Sequence, residues 1–295
     1  MDIVLALGGG GSKGNAHIGV LRVLEREGFN IRAVAGTSAG GIAAAAYAAG
    51  YTPDEMQRYM AQLDQSSFYG FHLSGEPALL GVDGIHKALY KMIGDKNFAD
   101  LRIPCAMAAV DLESSKEIIL KEGGVMDALM ATIAIPGVFP PKRRDGHLLV
   151  DGGLLDPVPV SIVRAISPRR RIPVVAVALS PEMAERSVIK LSGLITPSPI
   201  LNQIARLKVA QAFEIFMRSL EIGSSAITDL RLEIDKPDII IRPDVAHIGY
   251  LDRVDVADVA RLGELAVEAV LPELKRIARR RRGIFRRSIA ARSDE

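Results

Sequence analysis

The sequence lacks the usual marks of secreted and membrane-spanning proteins. Its single cysteine, Cys105, excludes an internal disulfide. Apolar runs of the length that a membrane-spanning helix needs, about 18 residues, are absent, and the nearest candidate, residues 36–51, contains the polar Thr37 and Ser38. No basic segment precedes the first apolar run, so a secretory signal is not expected. These absences together predict a cytoplasmic protein.

Neither sign of charge dominates the chain, which carries 37 Lys and Arg against 35 Asp and Glu. The distribution is uneven, because residues 275–295 hold nine basic and two acidic residues, which leaves about −5 on the preceding 274. This basic tail suits peripheral contact with an anionic membrane, or is simply a solvated helix end. Phe285 is its one aromatic residue, so nucleic-acid binding is not expected.

At 295 residues and 48% hydrophobic, the chain is long enough for one large domain with a sizeable core. Hydrophobic periodicity predicts strands at 2–7 and 31–35, each followed by a glycine-containing loop and a helix, at 13–28 and 39–49. This order predicts parallel strands covered by helices. Further strands are predicted at 104–110, 116–120, 148–150, 173–179 and 239–241, and long helices at 200–220 and 254–280. Residues 64–83 fit either a packed connection or a mobile lid.

The first glycine loop matches the dinucleotide-binding pattern at Gly9, Gly11 and Gly14. A nicotinamide site also needs an acidic residue near the end of the second strand, and none is present there. A phosphate-binding P-loop needs Lys and Ser or Thr after its last glycine, but Gly14 is followed by Asn15. The remaining interpretation is an oxyanion hole, in which backbone N–H groups at a helix N-terminus face one space.

The second glycine loop, Gly36-Thr37-Ser38-Ala39-Gly40, fits a nucleophile elbow, a sharp strand-to-helix turn that exposes a serine hydroxyl. The alternative is a helix cap whose glycines serve packing. Because the two loops follow adjacent parallel strands, both are expected at the same edge of the sheet, where open α/β sheets bind ligands.

The base for this serine is predicted to be a carboxylate. The five histidines show no pairing with a carboxylate pattern and are expected at surfaces or helix ends. Asp151 ends a short strand and precedes Gly152 and Gly153, a turn that can leave an acid facing a cavity. Asp111, also at a strand end, lacks such glycines and reads as an ordinary turn residue.

The motifs at 9–14, 36–40 and 151–153, with the Ala-Ile-Pro-Gly-Val-Phe-Pro-Pro stretch at 134–141, resemble those of the bacterial patatin-like phospholipases. The resemblance covers residues 3–165 as a catalytic core; 166–274 is expected to continue the same domain, and 275–295 to form the basic tail. It implies a three-layer α/β/α fold with a mostly parallel central sheet, and a Ser-Asp dyad without metal or cofactor.

Carried over residue by residue, the resemblance makes Ser38 the nucleophile and Asp151 the general base. It assigns the oxyanion hole to the N–H groups of the loop Gly9, Gly10, Gly11 and Ser12, and the motif glycines to Gly14, Gly36, Gly40, Gly152 and Gly153. Lys13 stands where the family has Arg or Lys, and either steers an anionic head group or supports the loop.

The expected function is hydrolysis of fatty-acyl esters of lipids through an acyl-enzyme. An acyltransferase or thioesterase would use the same dyad and differ only in the acyl acceptor. A catalytically silent regulatory protein on the same fold is the alternative from another class.

Overall fold

The computed structural model describes residues 1–63, 82–169, 171–182 and 201–293, so residues 64–81 of the predicted connection or lid lie outside it. The strands in these ranges are β1 (Asp2–Leu7), β2 (Asn30–Gly36), β3 (Cys105–Asp111), β4 (Lys116–Leu120), β5 (Lys142–Arg144), β6 (His147–Asp151), β7 (Val174–Val177) and β8 (Ile239–Ile241). The helices are α1 (Ala16–Arg26), α2 (Ala39–Ala49), α3 (Pro53–Gln62), α4 (Asp83–Ile93), α5 (Val125–Thr132), α6 (Val160–Ile166), α7 (Leu201–Asp235) and α8 (Val256–Ser293).

These strands form one sheet in the order β5-β6-β3-β2-β1-β7-β8, and β4 pairs with β3. The strands from β3 through β2, β1 and β7 to the edge strand β8 are parallel to one another. The other edge is antiparallel, because β4 and β6 both run against β3, and β5 against β6. The predicted parallel sheet is therefore confirmed at its centre and extended by an antiparallel edge.

Helices cover both faces of the sheet. Alternate residues of β1 point to opposite sides: Ile3, Leu5 and Leu7 pack into a core with α1, α2, α4, α5 and α8, whereas Val4 and Ala6 pack into a second core with α6 and α7. A strand buried on both faces needs a continuous apolar sequence, as β1 has. Each buried Leu or Ile contributes about 1.5–3 kcal/mol of transfer free energy. The predicted three-layer α/β/α fold is confirmed.

The predicted bounds agree with the structure for β1, α2 and β8. The helix predicted at 13–28 instead begins as a 3-10 turn, Gly11–Asn15, and becomes α-helical at Ala16. Helix α7 continues to Asp235 and α8 to Ser293, well past the predicted ends at 220 and 280. Both extensions pass a single glycine, Gly223 or Gly283, which costs only about 1 kcal/mol inside a helix.

Helix α8 passes through residue 275, the predicted start of the basic tail, without a break. Leu274 and Ala278 are buried, and Lys275 Nζ donates to Glu27 Oε2 over 2.6 Å. The first turn of the predicted tail is therefore packed against the domain. None of the helices in the described ranges has the length and apolar character needed to cross a bilayer.

Candidate active site

Ser38 lies in the sharp turn between β2 and α2. Its backbone has φ 54° and ψ −124°, and its side chain makes no capping hydrogen bond to α2. A positive φ at a residue other than glycine costs about 1–3 kcal/mol, which the surrounding packing must sustain. The turn is tight: a Cβ at Gly40 would lie 2.1 Å from the Leu7 carbonyl oxygen, and a Cβ at Gly36 would lie 2.1 Å from that of Gly40. The geometry is that of an elbow rather than of a serine cap.

Asp151 reaches Ser38 from the antiparallel edge of the sheet. It is the last residue of β6 and pairs with Ala109 of β3. On the other side of β3, Gly36 of β2 pairs with Met107, two residues before Ala109. Its carboxyl group accepts the Gly153 N–H over 2.8 Å, and Asp151 lines the same cleft as Ser38, whose side chain lowers the pKa of Asp151. The structure thus brings the two predicted catalytic side chains together.

Both members of this pair are withdrawn from solvent, with 5% of Ser38 and 6% of Asp151 exposed. Burial disfavours the carboxylate and raises the pKa of Asp151 to about 6, although the Ser38 side chain and the Gly153 N–H oppose the shift. Asp151 is therefore ionised at neutral pH and is a stronger base than an ordinary aspartate.

The glycine loop packs directly against Ser38, since a Cβ at Gly9 would lie 3.2 Å from the Ser38 Cβ. Two of the four N–H groups predicted for the oxyanion hole are already engaged: Gly9 donates to the Pro157 carbonyl over 3.0 Å and Ser12 to that of Tyr250 over 2.9 Å. Within the described ranges, the N–H groups of Gly10 and Gly11 have no protein acceptor. The donors free to face a ligand are therefore two rather than four.

Gly11 cannot carry a side chain in this loop. Its φ is +56°, and a Cβ would lie 2.0 Å from the Tyr250 carbonyl oxygen. The same carbonyl accepts the Ser12 N–H, and the Ser12 hydroxyl donates to the Asp252 carbonyl over 2.6 Å. A segment more than 230 residues away in sequence therefore holds the loop in place.

An apolar cavity of about 140 Å³ extends from Ser38 between α2, α3 and α4. Its walls are largely aliphatic, thioether and aromatic side chains, from Ile42, Ala43, Ala46, Met56, Met60, Leu89, Met92, Ile133 and Phe139. A separate cleft lined by Ser38, Asp151 and the backbone of Gly9 and Gly10 lies under α7. Ser38 lies at the junction of the two spaces.

Comparison with known proteins identifies the family. Residues 5–164, more than half of the chain, match the family model described as patatin-like phospholipase. The chain belongs to the patatin-like phospholipase family. It therefore carries the domain of a family of lipid-ester hydrolases, as the sequence motifs predicted.

Relatives of this patatin-like chain share the domain within longer proteins. It is 35% identical over 167 residues to the uncharacterized NTE family protein Mb1092c of Mycobacterium bovis, covering 56% of this chain and 46% of that protein. It is 29% identical over 283 residues to Mb2594 of the same organism, covering 92% and 47%. It is 30% identical over 171 residues to mouse patatin-like phospholipase domain-containing protein 6, covering 56% and 13%. The chain thus spans about half the length, or less, of these curated relatives.

A solved structure shows the same fold at low sequence identity. VipD from Legionella pneumophila superposes with a TM-score of 0.56 at 14% identity, covering 92% of this chain and 66% of that one. Because the superposition covers 92% of this chain, the shared fold extends beyond the matched residues 5–164.

The rival base, Asp111, ends β3, and its side chain accepts hydrogen bonds from the turn that follows, as an ordinary turn aspartate does. Its carboxylate accepts hydrogen bonds from the Ser114 hydroxyl over 2.6 Å and from the Leu148 N–H over 3.1 Å. The hydrogen bond from Ser114, with those from its other partners, holds the pKa of Asp111 well below its usual range. His147 Nδ1 also lies 3.1 Å from this carboxylate, so the expectation that no histidine pairs with a carboxylate is wrong, although His147 is at the opposite end of β6 from Asp151.

His17 is the second residue of α1, at a helix end as expected, but its side chain is fully buried. Burial lowers the pKa of His17 to about 4, so its ring is neutral. Its Nε2 lies 2.8 Å from the Gly8 carbonyl oxygen, an acceptor that requires the proton on Nε2. His17 thereby supports the base of the glycine loop.

Thr132, at the end of α5, was missed by the sequence analysis. Its hydroxyl accepts the Ser38 backbone N–H over 3.0 Å and donates to the Ala108 carbonyl over 2.6 Å. The residue is fully buried. It ties the strained elbow to β3, next to the point where β3 pairs with Asp151.

Lys13 is buried, with 3% of the residue exposed. Its Nζ lies 2.5 Å from Glu221 Oε1 of α7 and 5.3 Å from the centre of the Tyr250 ring, a cation–π distance. These contacts tie the glycine loop to α7 and to the segment around Tyr250. Within the described part of the chain, no group of three or more His, Cys, Asp or Glu side chains is placed to hold a metal ion.

Proposed function

We propose that this chain hydrolyses fatty-acyl esters of lipids, with Ser38 as nucleophile and Asp151 as general base. The observation that carries the proposal is that a serine held at positive φ and a carboxylate of raised pKa, both buried, line one cleft at the end of an apolar cavity. Perturbed pKa values inside a cleft are typical of functional sites.

In the first half of the reaction, Asp151 takes the Ser38 hydroxyl proton as Oγ attacks the ester carbonyl carbon. The carbonyl oxygen becomes an oxyanion, which the N–H groups of Gly10 and Gly11 stabilise. Losing one such donor typically costs about 3–4 kcal/mol of transition-state stabilisation. The carbon–oxygen bond to the alcohol then breaks, Asp151 returns the proton to the departing alkoxide, and the acyl group remains on Ser38.

In the second half, water takes the place of the departed alcohol. Asp151 accepts a proton from this water as the water oxygen attacks the acyl carbon. The bond to Ser38 Oγ breaks, the proton passes from Asp151 to Oγ, and a free fatty acid leaves. The sequence begins and ends with the same protonation states and needs no cofactor.

The apolar cavity is the proposed site of the acyl chain. Its aliphatic and thioether walls exclude charged groups, and burying each methylene contributes about 0.8 kcal/mol. The cavity begins at Ser38, so a chain bound in it places its carbonyl carbon at the nucleophile. A lipid ester fits this arrangement better than a peptide or a polar ester does.

The test of the proposal is hydrolysis of a fluorogenic fatty-acyl ester by the purified chain. We expect Ser38→Ala and Asp151→Asn each to lower kcat by about 10³-fold or more, because a serine hydroxyl without its base is a poor nucleophile. Ser167→Ala, at a half-buried position outside the site, and Asp145→Asn, at an exposed one, are the matched controls and should leave kcat unchanged.

Full activity of either catalytic variant would refute the dyad. Adding a small alcohol to the assay separates hydrolysis from acyl transfer, since a transferase would release mostly the new ester. Absence of activity toward every acyl ester and thioester tested would favour a catalytically silent protein.

We further propose that the basic tail contacts anionic membranes, which would bring the site to its lipid. Because Leu274 and Ala278 are buried, substitution is a cleaner test than truncation. Replacing Arg280, Arg281 and Arg282 by Gln should weaken binding to anionic vesicles about 100-fold, since each basic residue contributes about 1 kcal/mol. Equal co-sedimentation of the wild-type and substituted proteins with anionic vesicles would contradict membrane binding through the tail. The cytoplasmic location stays a prediction.

A further inference from the structure

A second, more polar cavity adjoins the cleft that holds Ser38 and Asp151. Its volume is about 110 Å³, enough for several water molecules and therefore for a tetrahedral phosphate group. The two spaces share four lining residues, Gly9, Gly10, Ser224 and Tyr250. We call the second space the polar pocket; its chemistry comes from Lys13, Ser180, Arg218, Glu221 and Ser225.

The polar pocket carries one net positive charge. Its cations, Lys13 and Arg218, both contact the single carboxylate of Glu221, at 2.5 Å and 2.6 Å. Among the lining residues that the structure describes, these three are the charged ones. Lys13 is buried, whereas the Arg218 side chain is 39% exposed and can reorient towards a ligand. The balance favours a monoanion over a neutral group or a dianion, which Glu221 would repel.

The pocket also contains hydroxyl groups without partners. The oxygens of Ser180 and Ser225 are buried and have no hydrogen-bond partner among the described residues, and Ser225 is 7% exposed. A buried hydroxyl without a partner is unfavourable, because it has lost its hydrogen bonds to water. An anion with several acceptor oxygens would receive hydrogen bonds from both serines and from Arg218.

We propose that the polar pocket binds the phosphodiester of a phospholipid head group while the acyl chain occupies the apolar cavity. A phosphodiester carries one negative charge at neutral pH, which matches the net charge of the pocket. Its two non-bridging oxygens suit a guanidinium and serine hydroxyls. This inference rests on the proposed function, because it places the acyl ester at Ser38 between the two cavities.

The kinetic test compares two substrates with the same acyl chain, a lysophospholipid and a monoacylglycerol, which lacks the phosphodiester. Arg218→Gln and Ser225→Ala should each raise KM for the lysophospholipid about tenfold and change both kinetic parameters for the monoacylglycerol by less than about twofold. Arg218→Lys should restore part of the loss. Arg143→Gln, at an exposed arginine of β5, is the matched control and should change neither substrate. Equal losses on both substrates, or no loss on either, would overturn the assignment.

A binding test does not depend on catalysis. In the Ser38→Ala variant, diethyl phosphate, a minimal phosphodiester, should raise Tm, and adding Arg218→Gln should abolish the increase. Inorganic phosphate and glycerol should give smaller shifts. A shift from inorganic phosphate as large as that from the diester would mark a site for free phosphate and overturn the head-group assignment, as would no shift from the diester. If the wild-type chain hydrolyses neither substrate, the proposed function fails while this measurement still decides the pocket.

Discussion

Replacing Asp151 by Asn removes a buried carboxylate with little change of shape. The amide oxygen can still accept the Gly153 N–H, so the local turn is retained. What changes is ionisation: the pKa of Asp151 is raised from the usual 3.8 to about 6 in the folded chain. Two pKa units correspond to about 3 kcal/mol at about 1.4 kcal/mol per unit.

The sign of the effect follows from which state holds the proton. Below about pH 4 the carboxyl group is protonated in both folded and unfolded chains, and its burial costs little. Between about pH 4 and pH 6 the unfolded chain has lost this proton while the folded chain retains it, so the wild type loses stability as pH rises. Above about pH 6 the loss is complete. Asp151→Asn should therefore be more stable than the wild type by up to about 3 kcal/mol at pH 7.5, and similar to it at pH 4.

Urea unfolding followed by far-UV circular dichroism measures this difference, since the chain has no tryptophan to report by fluorescence. Both proteins are compared across the pH range, so the other titrating groups cancel. Asp145→Asn, at an exposed aspartate, is the control and should show no such pH dependence. A difference between wild type and Asp151→Asn that stays constant from pH 4 to pH 7.5 would refute the raised pKa.

The same ionisation governs activity, because only the carboxylate can accept the Ser38 proton. We expect kcat/KM of the wild type to rise with pH through about 6 and then level off. A carboxylate of ordinary pKa would place this rise near pH 4. Agreement between the kinetic midpoint and the stability midpoint would tie both effects to Asp151.

Three further changes probe the site. Thr132→Val leaves the Ser38 N–H without its acceptor. It should therefore lower the free energy of unfolding by about 1–3 kcal/mol and kcat about tenfold, and Thr132→Ser should restore both. Equal kcat for the two variants would contradict this role of Thr132. Ala43→Leu narrows the apolar cavity and should shift kcat/KM towards shorter acyl esters, so an unchanged chain-length profile would argue against that cavity. Gly40→Ala should prevent folding because the new Cβ meets the Leu7 carbonyl; Gly223→Ala, where a Cβ meets open space, is the control for circular dichroism.

Ser38 and Asp151, which the structure brings into one cleft, could be proposed from the sequence because the patterns around them are local. A serine elbow needs glycine on both sides, because the strand and the helix approach so closely that no side chain fits between them. Gly36 and Gly40 meet this requirement and can be recognised in the sequence. An aspartate followed by two glycines likewise reports a turn at a strand end. Such requirements involve three to five consecutive residues, so they can be recognised in the sequence without knowledge of the fold.

Contacts between distant segments could not be predicted. The Ser12 N–H was expected in the oxyanion hole, but the Tyr250 carbonyl takes it, and no signal near Ser12 indicates that the chain returns there. The Gly9 N–H was also expected there, but it donates to the Pro157 carbonyl, which again belongs to a segment distant in sequence. His17 was expected at a surface or a helix end, and it does lie in the first turn of α1; only the fold shows that its ring is buried against the Gly8 carbonyl. Thr132 lies two residues before the proline-containing stretch at 134–141, which was the nearby signal that could have pointed to it.

The most direct test of the central claim is to trap the nucleophile. We would treat the wild-type chain with a fluorophosphonate, digest it, and map the adduct by mass spectrometry alongside the residual ester hydrolysis. We predict one adduct, on Ser38, whose formation abolishes hydrolysis and is slowed strongly in Asp151→Asn. An adduct on another residue, or full hydrolysis by a chain labelled at Ser38, would contradict it.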